Sequence, residues 1–223
     1  MLKRSFDATV AAVLLAVATP LILVLGVAIA LDSRGSAFFR CRRIGLGGRE
    51  FDMLKFRKMY DGAHGPALTA TNDDRFTRMG RFLAQTKLDE LPQLWNVLRG
   101  DMSLVGPRPE DPSFIRLRRH EFEPILRVRP GITGLSQLAF ARESEILDAE
   151  DRTGHYVRRI LPQKLEIDRV YVERRTFLLD VRILAWTAAA VFLRREVAVH
   201  RGSGRLSTRR RPPSSQLHPL PLD

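Results

Sequence analysis

Between Ala8 and Leu31 no side chain carries a charge. As one helix rising ~1.5 Å per residue, such a run exceeds the ~30 Å hydrocarbon core of a bilayer. Length alone lets it cross a membrane, and the remaining chain is read from that starting point. Lys3 and Arg4 precede the run, while Arg34, Arg40, Arg42 and Arg43 follow it. Cations on both flanks favour the cytoplasm, so a straight crossing satisfies one end only. Pro20 lies at the middle, where it removes a backbone hydrogen bond and kinks a helix, and the Thr19 hydroxyl is placed to satisfy the carbonyl that proline frees. The pattern predicts a re-entrant membrane helix over residues 1–33, entering and leaving on one side, in preference to a single-pass anchor. A cleaved signal peptide fits neither the length nor the absence of a cleavage site. A second apolar stretch, Ile183 to Leu193, is too short to span. With Trp186, Arg182, Arg194 and Arg195 it suits a helix lying at the interface, and an ordinary core helix competes with that reading.

The rest is long enough for one globular body, and a hydrophobic fraction of 44% in 223 residues excludes wholesale disorder. Lysine and arginine number 37 against 25 acidic residues, a formal charge of +12, which calls for an anionic partner: lipid headgroups, nucleotide phosphates or nucleic acid. The single Cys41 rules out an internal disulfide, and the five histidines lack zinc-ligand spacing. A reducing, cytoplasmic setting fits best.

The stretch with chemistry in it runs from Lys87 to Gly100. Leu91, Leu94, Trp95 and Leu98 recur at helical spacing, Pro92 suits a first turn and Gly100 a C-terminal stop. Asp89 and Glu90 therefore fall at a helix N-terminus, whose free N–H groups stabilise carboxylates and phosphates alike. Simple capping would account for such a pair on its own.

Cations gather before and after it. Phe38–Arg40 and Phe51–Met59 read as two extended segments joined at Gly45–Gly48, a β-hairpin in which Lys55 and Arg57 share one face. Residues 61–72 are turn-rich and read as a loop. Arg75, Arg78 and Arg81 recur every third residue and, on a helical turn, would share a face able to grip phosphate, with ion pairing to Asp73 and Asp74 as the alternative. Downstream, Pro107 and Pro109 hold Arg108 in a stiff turn. The segment from Glu143 to Tyr171 reads as helix interrupted at Gly154 and Pro162.

The string from Leu88 to Glu110 resembles the bacterial sugar transferase family, the monotopic phosphoglycosyl transferases that begin glycoconjugate synthesis on a polyprenyl phosphate. The likeness extends from Lys3-Arg4 through Lys55-Phe56-Arg57 and Thr77–Arg81 to Pro130-Gly131-Ile132-Thr133-Gly134. It implies an α/β, mostly helical fold with a short β-hairpin, a re-entrant membrane helix and interfacial amphipathic helices. It also implies transfer of a phosphosugar from a UDP-sugar to undecaprenyl phosphate, with release of UMP and a need for Mg²⁺. By match to the family's motif, Asp89 is the expected nucleophile and Mg²⁺ ligand, Glu90 supports metal or proton handling, and Lys55, Arg108, Arg78 and Arg81 contact nucleotide and phosphate. Ala84 and Lys87 depart from the basic residue and serine common before the acidic pair, and Gln137–Arg142 departs from the common pattern after the glycine turn, so the sugar is not legible. The expected organisation is a membrane helix over 1–33, a catalytic domain over 34–197 with no large N-terminal extension, and a basic, proline-rich disordered tail over 198–223. The expected setting is the cytoplasmic face of a bacterial inner membrane, with membrane lipids as partners, no nucleic acid, and a homo-oligomer left open. A non-catalytic basic tether at the membrane surface and a membrane phosphatase are the competing functions.

Overall fold

The apolar run forms a single helix, α1 (Leu2–Asp32), with Pro20 inside it. The computed structural model describes residues 2–65, 68–69, 73–143, 151–193 and 195–208. By length and composition α1 could cross a membrane, its mean hydropathy reaching 2.7. The Thr19 hydroxyl donates to the Leu15 carbonyl at 2.7 Å, not to that of Ala16, the group a proline at position 20 leaves free. Both ends of α1 are packed on the body. At its start the Arg4 guanidinium donates to the carbonyls of Val97 and Leu98, Lys3 Nζ lies 2.6 Å from Asp180, and Asp7 accepts from the Ser103 hydroxyl at 2.7 Å. Toward its end Leu25 and Ile29 are buried with Phe56 and Leu83, and Asp32 accepts from the Met79 N–H at 2.9 Å. From Ala12 to Val24 the helix has no buried residue.

β1 (Phe38–Ile44) and β2 (Glu50–Phe56) form the expected antiparallel hairpin, with Phe38 opposite Phe56 and Ile44 opposite Glu50. α2 (Arg78–Thr86) is capped by the Thr77 hydroxyl, which accepts from the Gly80 N–H. A 3₁₀ turn, Leu88–Glu90, then leads into α3 (Gln93–Arg99). α3 is stopped by Gly100 at φ 92°, a conformation that suits glycine. β3 (Ser103–Val105) pairs in parallel with β4 (Gly131–Thr133), across a connection holding α4 (Pro112–Leu117) and α5 (Arg119–Phe122). α6 (Leu135–Ala139) follows.

From Arg152 the chain is helical without a break. α7 (Arg152–His155) passes through a π turn, Tyr156–Ile160, into α8 (Leu161–Arg174). Gly154 and Pro162 therefore do not interrupt it: the Gly154 N–H is capped by Asp151, and Pro162 falls in the first turn of α8, where proline is tolerated. α9 (Phe177–Phe192) begins earlier than the apolar stretch suggested and buries only Asp180 and Ile183. Its Phe177, Leu178, Val191 and Phe192 are exposed, and Phe177 meets Phe6 of α1 edge to face at 5.0 Å.

The core runs between α3, β3, α6, α8 and α9, through Val97, Met102, Val105, Leu135, Ile167, Tyr171 and Ile183. A second cluster joins α4 and α5 to the π turn and α8 through Phe114, Phe122, Tyr156 and Leu161. Disorder from residue 198 is not what the structure shows. β5 (Val197–Val199) and β6 (Leu206–Thr208) form an antiparallel pair, with Val197 buried and Val199 and Leu206 packed against the main core. Val197, Val199 and Leu206 suffice to dock a short strand pair despite the basic composition around them. Residues 209–223, including Arg209-Arg210-Arg211-Pro212-Pro213, and Arg194 lie outside the described residues, as do 66–67, 70–72 and 144–150.

Candidate active site

Asp89 is 1% exposed although it sits in a turn. The local backbone explains this. α2 ends on Lys87, the one non-glycine residue with positive φ among those described, at 61°. That left-handed corner, unfavourable for a residue bearing Cβ, folds the 3₁₀ turn back under α2 and directs the Asp89 carboxylate inward. On the far side, buried Asn96 of α3 clamps β2: its Oδ1 accepts from the Leu54 N–H at 2.9 Å and its Nδ2 donates to the Asp52 carbonyl at 2.8 Å. The acidic turn is thereby held against the strand that carries Lys55.

Four cations ring the two carboxylates. Lys55 Nζ lies 3.1 Å from Glu90 Oε1, and Arg108 Nη1 lies 3.6 Å from the same oxygen. Lys58 Nζ lies 2.8 Å from Asp89 Oδ2, an ion pair without hydrogen-bond alignment, so that this buried oxygen has no hydrogen-bond donor among the described residues. Lys87 adds charge beside Glu90. Burial alone would push the Glu90 carboxyl up, but Lys55, Arg108 and Lys87 outweigh it and hold its pKa at about 2. The carboxyl is thus ionised at neutral pH, and positive charge exceeds negative around it. Arg108, its side chain 37% exposed, is open to an incoming anion.

Two close backbone contacts set these groups. The Thr77 N–H donates to the Lys58 carbonyl at 3.0 Å, and a Cβ at Gly80 would come within 1.8 Å of that same oxygen. Only glycine lets α2 start beside Lys58. Similarly, Gly106 donates to the Thr133 carbonyl and Gly131 to that of Pro107, while a Cβ at Gly131 would meet the Gly106 nitrogen at 2.1 Å. The Pro130–Gly134 string therefore serves as the mount for the Pro107-Arg108-Pro109 arch.

Asp89, Glu90, Lys55 and Arg108 are thus brought together as the sequence suggested. Arg78 and Arg81 are exposed on α2, and among the described residues neither pairs with Asp89 or Glu90. The three-cation face is corrected: Arg75 lies before α2, with its guanidinium on Asp73 through two 2.8 Å hydrogen bonds, and Arg152 binds the same carboxylate at 2.8 Å. The Arg75 hydrogen bonds lower the Asp73 pKa to about 2. Arg57 is corrected too. The strand ends at Phe56, and Arg57 is buried, donating to the carbonyls of Ser33, Arg34, Gly35 and Ser36, so it secures the exit of α1 rather than a phosphate. Lys58 is the site cation that the sequence pattern missed. Strand alternation continued past Phe56 would have put it on the apolar face, and only the early end of β2 turns it toward Asp89.

Among the described residues no group of three His, Cys, Asp or Glu side chains forms a ready cation cage. Magnesium, however, commonly takes one or two carboxylates and completes its octahedron with phosphate oxygens and water. The buried Asp89 Oδ2, met by the poorly aligned Lys58 ammonium alone among the described residues, fits that pattern.

Residues 1–194 match the family model described as bacterial sugar transferase. The chain belongs to the bacterial sugar transferase family. It is 39% identical over 194 residues to a UDP-glucose:undecaprenyl-phosphate glucose-1-phosphate transferase of Caulobacter vibrioides, covering 85% of this chain and 69% of that protein. An undecaprenyl-phosphate glucose phosphotransferase of Komagataeibacter xylinus is 37% identical, covering 83% and 35%. A UDP-N-acetylgalactosamine-undecaprenyl-phosphate N-acetylgalactosaminephosphotransferase of Aeromonas hydrophila is 36% identical, covering 85% and 43%. The chain thus spans less than half the length of the last two. Relatives at nearly equal identity are named for two different sugars.

Proposed function

We propose that this chain transfers a sugar 1-phosphate from a UDP-sugar to undecaprenyl phosphate, with Asp89 as nucleophile. The observation that carries the reading is a fully buried aspartate whose Oδ2 has only the poorly aligned Lys58 ammonium among the described residues, with Lys55, Lys87 and Arg108 around it. An Asp89 oxygen bonds to the sugar-bearing phosphorus, and the bond from that phosphorus to the UMP oxygen breaks, releasing UMP. An oxygen of the lipid phosphate then attacks the same phosphorus, and Asp89 departs as carboxylate. Splitting the exchange lets two phosphate substrates use one cation-lined site in turn. Arg108 and Lys55 hold the diphosphate, Lys58 gives up Asp89 for phosphate oxygen, and Arg78 and Arg81 meet parts of the donor that project further out. Glu90, ionised throughout, orients Lys55 and Arg108 and is poorly suited to donate a proton near pH 7. Asp89, with Glu90 nearby, would hold Mg²⁺, which supplies neutralisation of the diphosphate charge facing a carboxylate.

The membrane reading extends the same proposal: α1 dips into one leaflet and returns, with the body on the cytoplasmic face. Both ends of α1 are attached to one body, and the stretch free of buried residues, Ala12 to Val24, measures only ~20 Å at ~1.5 Å per residue, short of a ~30 Å core. In a Cys41→Ser background, an impermeant thiol probe in the periplasm is expected to label neither Ser5→Cys nor Ser33→Cys; labelling of either would establish a crossing. The reaction is tested with purified protein, Mg²⁺, undecaprenyl phosphate and a panel of UDP-sugars, following UMP release. A phosphosugar adduct on wild-type protein, absent from Asp89→Asn, is the expected result, and lipid product without an adduct would refute the nucleophile.

A further inference from the structure

Behind Arg108, away from Asp89, lies a second charged cluster that the reaction as written does not use. Lys164 of α8 is 2% exposed. Its Nζ reaches Glu110 Oε1 at 3.2 Å, Glu143 Oε2 at 2.9 Å and the Tyr156 hydroxyl at 2.9 Å. The Tyr156 hydroxyl itself donates to Glu110 Oε1 at 2.8 Å. Glu110 is the second residue after Arg108, and the Arg108 guanidinium lies in the field of Glu90, Glu143 and Glu110 together. One guanidinium thus contacts Glu90 and feels the charge of both carboxylates that Lys164 holds.

We propose that Lys164 is a positioning residue for Arg108: by engaging Glu110 and Glu143 from α8, it leaves the guanidinium directed at Glu90 and the substrate diphosphate. The proposal rests on Arg108 as a phosphate ligand. Without the ammonium, two largely buried carboxylates would turn to the nearest remaining cation, because unpaired buried charge is strongly unfavourable. That cation is Arg108, which would be drawn inward and closed to phosphate. The groups behave accordingly. Burial would discharge Lys164, yet Glu110, Tyr156 and Glu143 hold its pKa above the ordinary lysine value. Burial would raise Glu110, yet Lys164 and Arg108 hold it below the usual carboxylate range. Asp168, one turn further along α8, is pushed up by burial to about 7, so it is part-ionised in neutral solution and adds to the negative charge that Lys164 offsets.

The test uses full-length protein in detergent, with UDP as the probe and its Kd measured by equilibrium dialysis between pH 5.5 and 8.5. Lys164→Met is expected to weaken UDP binding by about tenfold at pH 8, the loss of one charge-assisted contact. Lys164→Met/Glu110→Gln should recover most of that loss. In Lys164→Met, Glu110 faces Tyr156, Arg108, Glu143 and Asp168 without its ammonium, so it takes up a proton more readily. The deficit relative to wild type should therefore shrink as pH falls, a recovery that a general loss of packing would not show. Tyr156→Phe, which removes an uncharged donor, should weaken binding about twofold and serves where Lys164→Met does not fold. Unchanged UDP affinity in the folded variants, or a pH-independent deficit with no recovery in the double variant, overturns the proposal. Arg108→Gln, measured alongside, separates the two levels. If it leaves UDP affinity unchanged, the phosphate-ligand reading falls and takes this proposal with it; if it weakens binding while Lys164→Met and Tyr156→Phe do not, only the positioning role falls.

Discussion

The Asp89 turn and the Lys164 cluster are both built from carboxylates and cations, yet they are finished differently. Around Lys164, Glu110, Glu143 and Tyr156 form a closed set in which the lysine's three donors are all directed at partners. Around Asp89 the set is left open: cations outnumber carboxylates, Arg108 is partly exposed, and Asp89 Oδ2 has only the poorly aligned Lys58 ammonium among the described residues. A closed polar network rigidifies, whereas an incomplete one awaits a ligand. Substituting Asp89 should therefore reduce activity without reducing stability, whereas substitutions in the closed set should reduce stability as well as UDP affinity.

The largest expected effect comes from Asp89→Asn. UMP release should fall at least ~10³-fold, in line with removal of a covalent nucleophile, while the thermal midpoint stays level or rises. A lowered midpoint would put Asp89 in the structural class and break the contrast. Arg57→Ala should act oppositely: four backbone carbonyls lose their donor, and stability should drop by about 2–4 kcal/mol in denaturant titration, with the residual folded fraction still active.

Glu90→Gln sharpens the distinction through pH. The folded pKa of Glu90 is depressed to about 2. Its ion pairs therefore stabilise the fold above the unfolded value near 4.5, and that contribution disappears as pH falls toward 2. The variant should melt lower than wild type at pH 7, and the two curves should converge in acid. Asp168 has the contrary sign. With a folded pKa raised to about 7, it costs stability once ionised, a cost that sets in as pH rises from about 4 to 7 and is complete above. Asp168→Asn should accordingly melt a few degrees higher at pH 8 and almost level with wild type at pH 4. Smallest of all, Arg78→Ala and Arg81→Ala should each raise the KM for UDP-sugar about twofold, as befits exposed cations in screened solvent.

Local signals in the sequence were strong where the structure is local. The hairpin follows from apolar alternation around a glycine turn, α3 from its leucine spacing and Gly100, and the Asp89–Arg108 constellation from a motif string whose spacing is kept by a turn, a helix and a short strand. Long-range outcomes were not legible. Nothing in the spacing of Arg75, Arg78 and Arg81 says that the first is taken by the Asp73 carboxylate, which it shares with Arg152. Arg57 was lost to the site because β2 stops one residue before it, and the same early stop delivers Lys58. Lys164 lies far along the chain from Arg108, on a helix whose composition suggests a solvated face. The strand pair from Val197 to Thr208 was hidden because three apolar residues carry it amid basic neighbours.

The contact between Asp32 and the Met79 N–H joins the far end of α1 to the first turn of α2, and that turn abuts Lys58 through Gly80. Under the proposed insertion of α1 in one leaflet, a displacement of the apolar segment would therefore be passed along Asp32, Met79 and Gly80 to the lysine touching Asp89.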